Sequence, residues 1–426
     1  MGQGVLTAGF ARVDGTLHAE GVPLDRVAAA VGTPAYVYSA GLIQERYRAL
    51  DAAMAAIPHR IHYTLKANSN RAILRLLRTW GAGVDVVSGG ELARALRAGF
   101  TGREIIFGGV GKSDEELREA VLADVLLVNA ESEAEVRALA AIAAAEGTTA
   151  RVGLRVNPEI TVETTHHYIK TGERGHKFGI PIDDALHVAR VAASLPGVEL
   201  VGLDMHLGSM LSRVEPYGRG AERLLELCRT LQDEGVRTLR YLDIGGGYGV
   251  RYDQETPVDL PELAATIGTL VRDSGLELIL EPGRFIVGNA GVLLARTLYR
   301  KRSGGKDYIV ADAGMTELLR PSHYHAYHRI EAVHEVAGQA TVDVVGPVCE
   351  SGDFLALDRT MDDVPAGDLL AVFDAGAYGY VMSSTYNSRR RVPEVLVDGD
   401  RFAVTTMRET YDDLMRLEVD QPEWRS

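Results

Sequence analysis

The chain has 426 residues, more than one ordinary core accommodates and enough for two domains. Apolar residues make up 46 % and charged residues 24 %, the balance of a soluble globular protein. Asp and Glu outnumber Lys and Arg by 59 to 45, a formal net charge of -14, which argues against nucleic-acid or anionic-membrane partners because both need a basic face.

The N-terminus opens Met1-Gly2-Gln3-Gly4, without a basic stretch leading into an apolar one, so no signal peptide is expected. No apolar run approaches the roughly 20 residues that span a bilayer. Two cysteines, Cys228 and Cys349, do not make a disulfide framework and fit a reducing, cytoplasmic location. Residues 1–35, with a turn at Gly15, are expected to join or brace a second domain, and 36–38 reads as a short strand at the boundary.

From there a strand-then-helix rhythm sets in. Short apolar, β-rich runs occur at 61–65, 84–87, 104–107, 125–128, 152–156, 200–205, 240–244 and 276–280. Helical patterns lie between them at 90–98, 114–122, 132–145, 182–194, 218–234 and 260–274. Such alternation implies parallel strands joined by crossover helices. Eight units over roughly 250 residues match a (β/α)8 TIM-type barrel better than an open sheet. The barrel is expected over 36–288. After Glu281 the texture changes to strand-like runs separated by turns, at 292–298, 308–311, 340–345, 369–373 and 401–404. A C-terminal β-rich domain, sandwich or barrel-like, is expected over 289–426.

The strand ends carry the chemistry. The eight runs close on Lys66, Ser88, Gly108, Asn129, Asn157, His206, Gly245 and Glu281. In a barrel these positions ring the C-terminal mouth, where active sites sit. Strands commonly end in polar turns, and that suffices for Gly108 and Asn129. It does not explain a lysine, a histidine and a glutamate each ending an apolar strand.

Lys66 ends the first run, in Tyr63-Thr64-Leu65-Lys66-Ala67-Asn68. A lysine at the end of a buried strand is costly unless neutralised or bonded covalently; taken alone, the segment suits an exposed surface lysine better. Gly245, Gly246 and Gly247 follow the seventh run, and glycines there let backbone amides approach a phosphate closely. Barrels often bind phosphate after strand seven. Glu281-Pro282-Gly283-Arg284 follows the eighth run. Its carboxylate could keep a pyridine nitrogen protonated, or could simply pair with Arg284 at the surface. Met205-His206-Leu207-Gly208-Ser209 offers a ring to stack on a cofactor and a hydroxyl for a phosphate.

Taken in order, these segments resemble the alanine-racemase-fold (fold-type III) decarboxylases that depend on pyridoxal 5'-phosphate, and most closely their diaminopimelate decarboxylase branch. The likeness also covers Asp85-Val86-Val87-Ser88-Gly89-Gly90-Glu91-Leu92, Lys177-Phe178-Gly179-Ile180, Leu319-Arg320-Pro321, Tyr324, Gly346-Pro347-Val348-Cys349-Glu350-Ser351 and Gly376-Ala377-Tyr378-Gly379. The resemblance implies that Lys66 carries the cofactor as a Schiff base and that His206 stacks on its ring. It implies that Ser209, Gly245, Gly246, Gly247, the backbone of Glu281, Pro282, Gly283 and Arg284, and the Tyr378 hydroxyl hold the phosphate. Glu281 would pair with the pyridine nitrogen. Arg284, Arg320 and Tyr324 would bind substrate carboxylate, with Tyr378 beside them, and Glu350 would take the distal ammonium. Cys349 would donate the proton to Cα. The implied reaction is decarboxylation of meso-2,6-diaminopimelate to L-lysine and CO2, through an external aldimine and a quinonoid, as the last step of lysine biosynthesis. The Cys-Glu-Ser loop would complete the partner's site, so a homodimer with shared active sites is implied. No metal is expected.

Two departures bear on the pocket. Met210 stands where the family commonly carries glutamine, and His176 precedes Lys177 where a small or amide residue is more usual. The charges fit the substrate: a guanidinium grips carboxylate bidentately, and a substrate lacking that carboxylate would leave a buried arginine unpaired. The alternative is a related decarboxylase acting on ornithine, arginine, or a siderophore or polyamine precursor. A racemase would place a base, not Glu281, beside the pyridine nitrogen. A non-catalytic one-domain pyridoxal-phosphate binder would not need the long β domain. Gly111-Lys112-Ser113 looks like the end of a phosphate loop, but Ile106 stands where that motif needs glycine. His323, His325 and His328, like His166 and His167, are read as loop histidines rather than metal ligands.

Overall fold

The computed structural model describes residues 9–162 and 175–425, so His166 and His167 lie outside the described residues. The chain forms two compact units, Ile43–Gly288 and Met1–Leu42 with Asn289–Ser426.

The first unit is a closed barrel of eight parallel strands: His59–Thr64, Gly83–Val86, Ile105–Phe107, Leu127–Ala130, Ala150–Asn157, Val198–Asp204, Tyr241–Asp243 and Glu277–Leu280. Each pairs with the next, and the eighth returns to the first through Leu280 opposite Ile61. Buried parallel strands read as near-continuous apolar runs, which is why all eight were visible in the sequence. The helices start where side chains satisfy their orphan amides. Ser88, Ser132 and Asp259 each accept the backbone N–H three residues on. Ser113 and Glu116 form a reciprocal capping box at the start of Asp114–Leu122. The helix Ile182–Ser194 turns Ala185, Val188, Ala189 and Ala192 inward at helical spacing. The helix Arg71–Thr79, not expected from the sequence, is capped by Asn70.

The second unit is β-rich. Its main sheet runs in the order Phe354–Asp362, Gln339–Val345, Lys306–Ala311, Gly291–Ser303, Ala35–Ser39, Glu394–Asp398, Arg401–Thr406. Leu369–Val372 pairs with Gly291–Ser303 and with Ile330–Ala332. A small antiparallel sheet, Phe10–Val13 with Thr16–Ala19 and Val22–Pro23, turns at Gly15, whose φ is +79°. Phe10, Leu17, Leu24, Val37, Val292, Leu294, Phe373 and Val395 belong to one buried cluster. Within 289–426, three strands escape sequence reading: 330–332, 354–362 and 394–398. The first is only three residues long, and the second interleaves Asp358, Arg359 and Asp362 on a half-exposed strand at the sheet edge. Among the described residues no helix is long and apolar enough to cross a membrane.

Candidate active site

Within the barrel unit, the C-terminal strand ends bring together Lys66, the His206–Ser209 segment, the glycine triplet and Glu281–Arg284. Lys66 differs from its sequence expectation. It sits two residues beyond the strand, in the single 3-10 turn Leu65–Ala67, and its side chain is 37 % exposed. The turn carries the amine off the strand, so the desolvation expected for a strand-end lysine is only partial. Its Nζ lies 3.8 Å from Asp85 Oδ2, at the end of the second strand. Thr64 Oγ1 donates to the same oxygen at 2.9 Å and lies 3.2 Å from the Glu281 carbonyl oxygen. Strands one, two and eight are thereby laced together directly beneath Lys66.

Beside them lies a carboxylate cluster. Asp204, Asp243 and Glu281, from strands six, seven and eight, place carboxyl oxygens within 4.8 Å of one another, and all three are buried. Like charges at that distance in a dry interior hold protons. Burial, then Asp243, Asp85 and Asp204, push Glu281 well above the usual carboxylate range, with Lys66 pulling the other way. Burial likewise raises Asp243 to about 7. Asp204 rises for the same reason, with Asp243 adding to it. Such a cluster suits a cation, whether a pyridinium or a metal ion. The adjoining glycine cradle favours the pyridinium.

His206 is neutral: burial, then the charges of Lys66 and Arg155, push its pKa well below the histidine range. Its Nδ1 accepts the Gly246 N–H at 3.3 Å, which leaves the proton on Nε2. The Gly245 N–H also stays within the protein, donating to Asp243 Oδ1 at 2.8 Å. Two of the three amides expected to face a phosphate therefore have protein partners. The glycines are needed for close approach as well. A Cβ on Gly246 would lie 2.0 Å from the Glu281 carbonyl oxygen, and one on Gly247 (φ +89°) 2.2 Å from that of Gly208. Arg284 is buried on a one-turn helix and donates to Tyr252 Oη at 2.8 Å and to Ser209 Oγ at 3.3 Å. Met210, next to Ser209, is buried with φ +62°.

The β unit carries the remaining candidates. Arg320, buried, begins the short helix Arg320–Tyr324. The rings of His323 and Tyr324 meet edge to face with centroids 4.5 Å apart. Cys349 and Glu350 are exposed on the loop between the strands Gln339–Val345 and Phe354–Asp362. Tyr378, with φ +56°, is half-buried in the turn after Leu369–Val372.

Several structuring residues escaped the sequence reading. Asp353 accepts the Met315 and Val348 amides, each at 2.6 Å, and so shapes the Cys349–Glu350 loop, while the Cys349 N–H donates to Asn387 Oδ1 at 2.9 Å. Asp204 and Asp243 each stand two residues before a residue the sequence did single out, and only their position at a strand end could have marked them. Lys112 is a buried structural cation: its Nζ reaches Gly109 O at 2.6 Å, Asn129 O at 2.8 Å and Glu135 Oε1 at 2.6 Å. Three acceptors use its three protons, in keeping with the rejection of a phosphate loop there.

Comparison with known proteins bears on the identity. Residues 40–288 match the family described as "Pyridoxal-dependent decarboxylase, pyridoxal binding domain". Diaminopimelate decarboxylase of Pseudomonas aeruginosa is 46 % identical over 406 residues, 95 % of this chain and 97 % of that protein. That of Aquifex aeolicus is 43 % identical, covering 96 % of each. Among solved structures, diaminopimelate decarboxylase from Helicobacter pylori complexed with L-lysine superposes with a TM-score of 0.89 at 37 % identity, covering 93 % of this chain and 99 % of that one. With 58 % of its length under the family model and relatives above 40 % identity along nearly all of it, the chain belongs to the diaminopimelate decarboxylase family of pyridoxal-dependent decarboxylases.

Proposed function

We propose that the chain decarboxylates meso-2,6-diaminopimelate to L-lysine and CO2 with pyridoxal 5'-phosphate, the last step of lysine biosynthesis. The observation that carries this reading is that one barrel mouth holds a lysine, a glycine-lined cradle and a buried carboxylate on strands one, seven and eight. The residues present fit the cofactor. A Cβ at Gly246 would meet the Glu281 carbonyl oxygen and one at Gly247 that of Gly208, so only glycines let this turn close against the neighbouring strand ends, and the carboxylate cluster is the partner a pyridinium requires. When bound, pyridoxal phosphate supplies a protonated ring that takes up the electron pair left as the bond from Cα to the carboxylate breaks.

The Lys66 amine would hold the cofactor covalently. Neutral His206 stacks on the ring without competing for its charge. Glu281 holds the proton at the pyridine nitrogen. Ser209, the Gly245–Gly247 turn, the backbone of 281–284 and the Tyr378 hydroxyl take the phosphate; the protein partners of the Gly245 and Gly246 amides make those two residues chiefly shapers of the turn. Arg284, Arg320 and Tyr324 take substrate carboxylate, Glu350 the distal ammonium, and Cys349 moves a proton to Cα. The exposed Cys349–Glu350 loop supports a homodimer in which it completes the site of a second copy. The low cysteine count supports a cytoplasmic location.

The test is CO2 release by purified protein from meso-diaminopimelate, L-lysine, ornithine and arginine. Release from diaminopimelate alone is expected. Turnover of another amino acid without diaminopimelate would overturn the reading.

A further inference from the structure

Three histidines near Arg320 looked alike in sequence, but one of them is different in kind. His328 is wholly buried, whereas His323 and His325 are exposed. Its Nδ1 lies 2.8 Å from the Phe373 carbonyl oxygen, and its Nε2 lies 2.8 Å from Arg320 Nη1. A carbonyl can only accept, so Nδ1 carries the proton. A guanidinium can only donate, so Nε2 carries none. The two contacts together select one neutral tautomer of the ring, and each fixes the other's geometry.

The ring is itself held firmly. Arg359 Nη1 donates to the His328 carbonyl at 2.8 Å, and the Arg359 guanidinium lies over the neighbouring Tyr327 ring, 4.0 Å from its centroid. The Phe373 N–H donates to Arg329 O at 2.8 Å, so the acceptor of the His328 proton is pinned to the same segment. Arg320, by contrast, starts a helix of only five residues, too short to fix a long side chain by itself. Its guanidinium takes its direction from contacts such as this one. A fork that must meet a carboxylate with two parallel hydrogen bonds loses affinity when it can rotate.

We propose that His328 is a positioning residue for substrate recognition: its neutral imidazole holds Arg320 at the angle in which the guanidinium grips the carboxylate distal to the reacting carbon. This rests on the reading of Arg320 as a carboxylate ligand. Decarboxylation leaves that carboxylate on the product, so His328 governs the affinity of substrate and of L-lysine together, and leaves the chemical step alone.

The test is steady-state kinetics of the holoenzyme. In His328→Phe, KM for meso-diaminopimelate rises on the order of 10- to 100-fold, the value of a hydrogen bond to a charged group. The competitive inhibition constant of L-lysine rises by a similar factor. Turnover at saturation and the visible absorbance of the bound cofactor stay at parental values. His328→Gln, which keeps an acceptor within reach, restores most of the affinity. Should the Phe variant not fold, His328→Asn, too short to reach Arg320, takes its place with the same expectation. Arg320→Lys raises KM, and adding a His328 substitution to it raises KM no further. Parental KM and lysine inhibition in a folded His328→Phe or His328→Asn, with Arg320→Lys impaired, sink the proposal alone. Parental KM in Arg320→Lys sinks the carboxylate reading and the proposal with it.

Discussion

The carboxylate of Asp243 accepts the Gly245 N–H at 2.8 Å while lying within 4.8 Å of the Glu281 carboxylate. One side chain thus joins the start of the glycine turn to the group proposed to face the pyridine nitrogen. Burial is what raises the Asp243 pKa to about 7, far above the usual carboxylate range.

That pKa has a direction in stability. A carboxyl raised from 3.8 to about 7 on folding binds its proton more tightly in the folded state. Its contribution is full below about pH 4 and is lost as pH rises through about 7. Asp243→Asn removes the titration and keeps an acceptor for Gly245. In cofactor-free protein, urea unfolding at pH 5 and pH 8 should show the variant gaining about 1–3 kcal/mol relative to the parent at the higher pH. An equal difference at both pH values would mean that the carboxyl is not raised.

Gly247→Ala tests the cradle. The new Cβ needs the space of the Gly208 carbonyl oxygen, at a φ that L residues rarely adopt. Stability should drop by about 2–4 kcal/mol. Pyridoxal phosphate, titrated by its visible band, should bind at least about 10-fold more weakly, since a mispositioned loop loses hydrogen bonds to a charged group.

Lys112→Ala separates structure from chemistry. It leaves Glu135 and two carbonyls without the cation that joins them. Chemical unfolding should show a loss of about 3–5 kcal/mol, the cost of breaking a buried ion pair from one side. Cofactor absorbance per folded molecule should remain parental. A cofactor-specific loss without destabilisation would instead make Lys112 a phosphate ligand.

Shared sites can be tested by mixing. Lys66→Ala should lose the visible band of the lysine-bound cofactor and nearly all turnover, and Cys349→Ala should also be slow. If each site draws Lys66 from one chain and Cys349 from the other, half the randomly mixed dimers are hybrids with one intact site in two. Mixing equal amounts after dissociation should then restore about a quarter of parental activity. No recovery, with hybrids confirmed by mass, would place both residues in one chain's site.

The eight barrel strands could be read from the sequence because a strand covered on both faces is an unbroken apolar run, and a helix must break that run with period 3.6. The boundaries shifted by a residue or two, and at Lys66 that mattered: the 3-10 turn after Thr64 lifts the amine into partial exposure. The edge strand Phe354–Asp362 was missed because half of it faces solvent and carries charge. The motifs at the barrel mouth were legible because each places a residue where propensity would not. Asp204 and Asp243 were not, since an aspartate closing a strand looks like any turn residue.

The Asp243–Glu281 pair shows where the division lies. By itself the sequence determined the order of the eight barrel strands, the segments that end at the mouth, and the family resemblance, because all three reside in local pattern. Only the tertiary structure decided which polar groups share one dry space. Asp243 is 38 residues from Glu281, and His328 meets a carbonyl 45 residues away. Burial and proximity across strands set their protonation, and neither is a property of any stretch of chain alone.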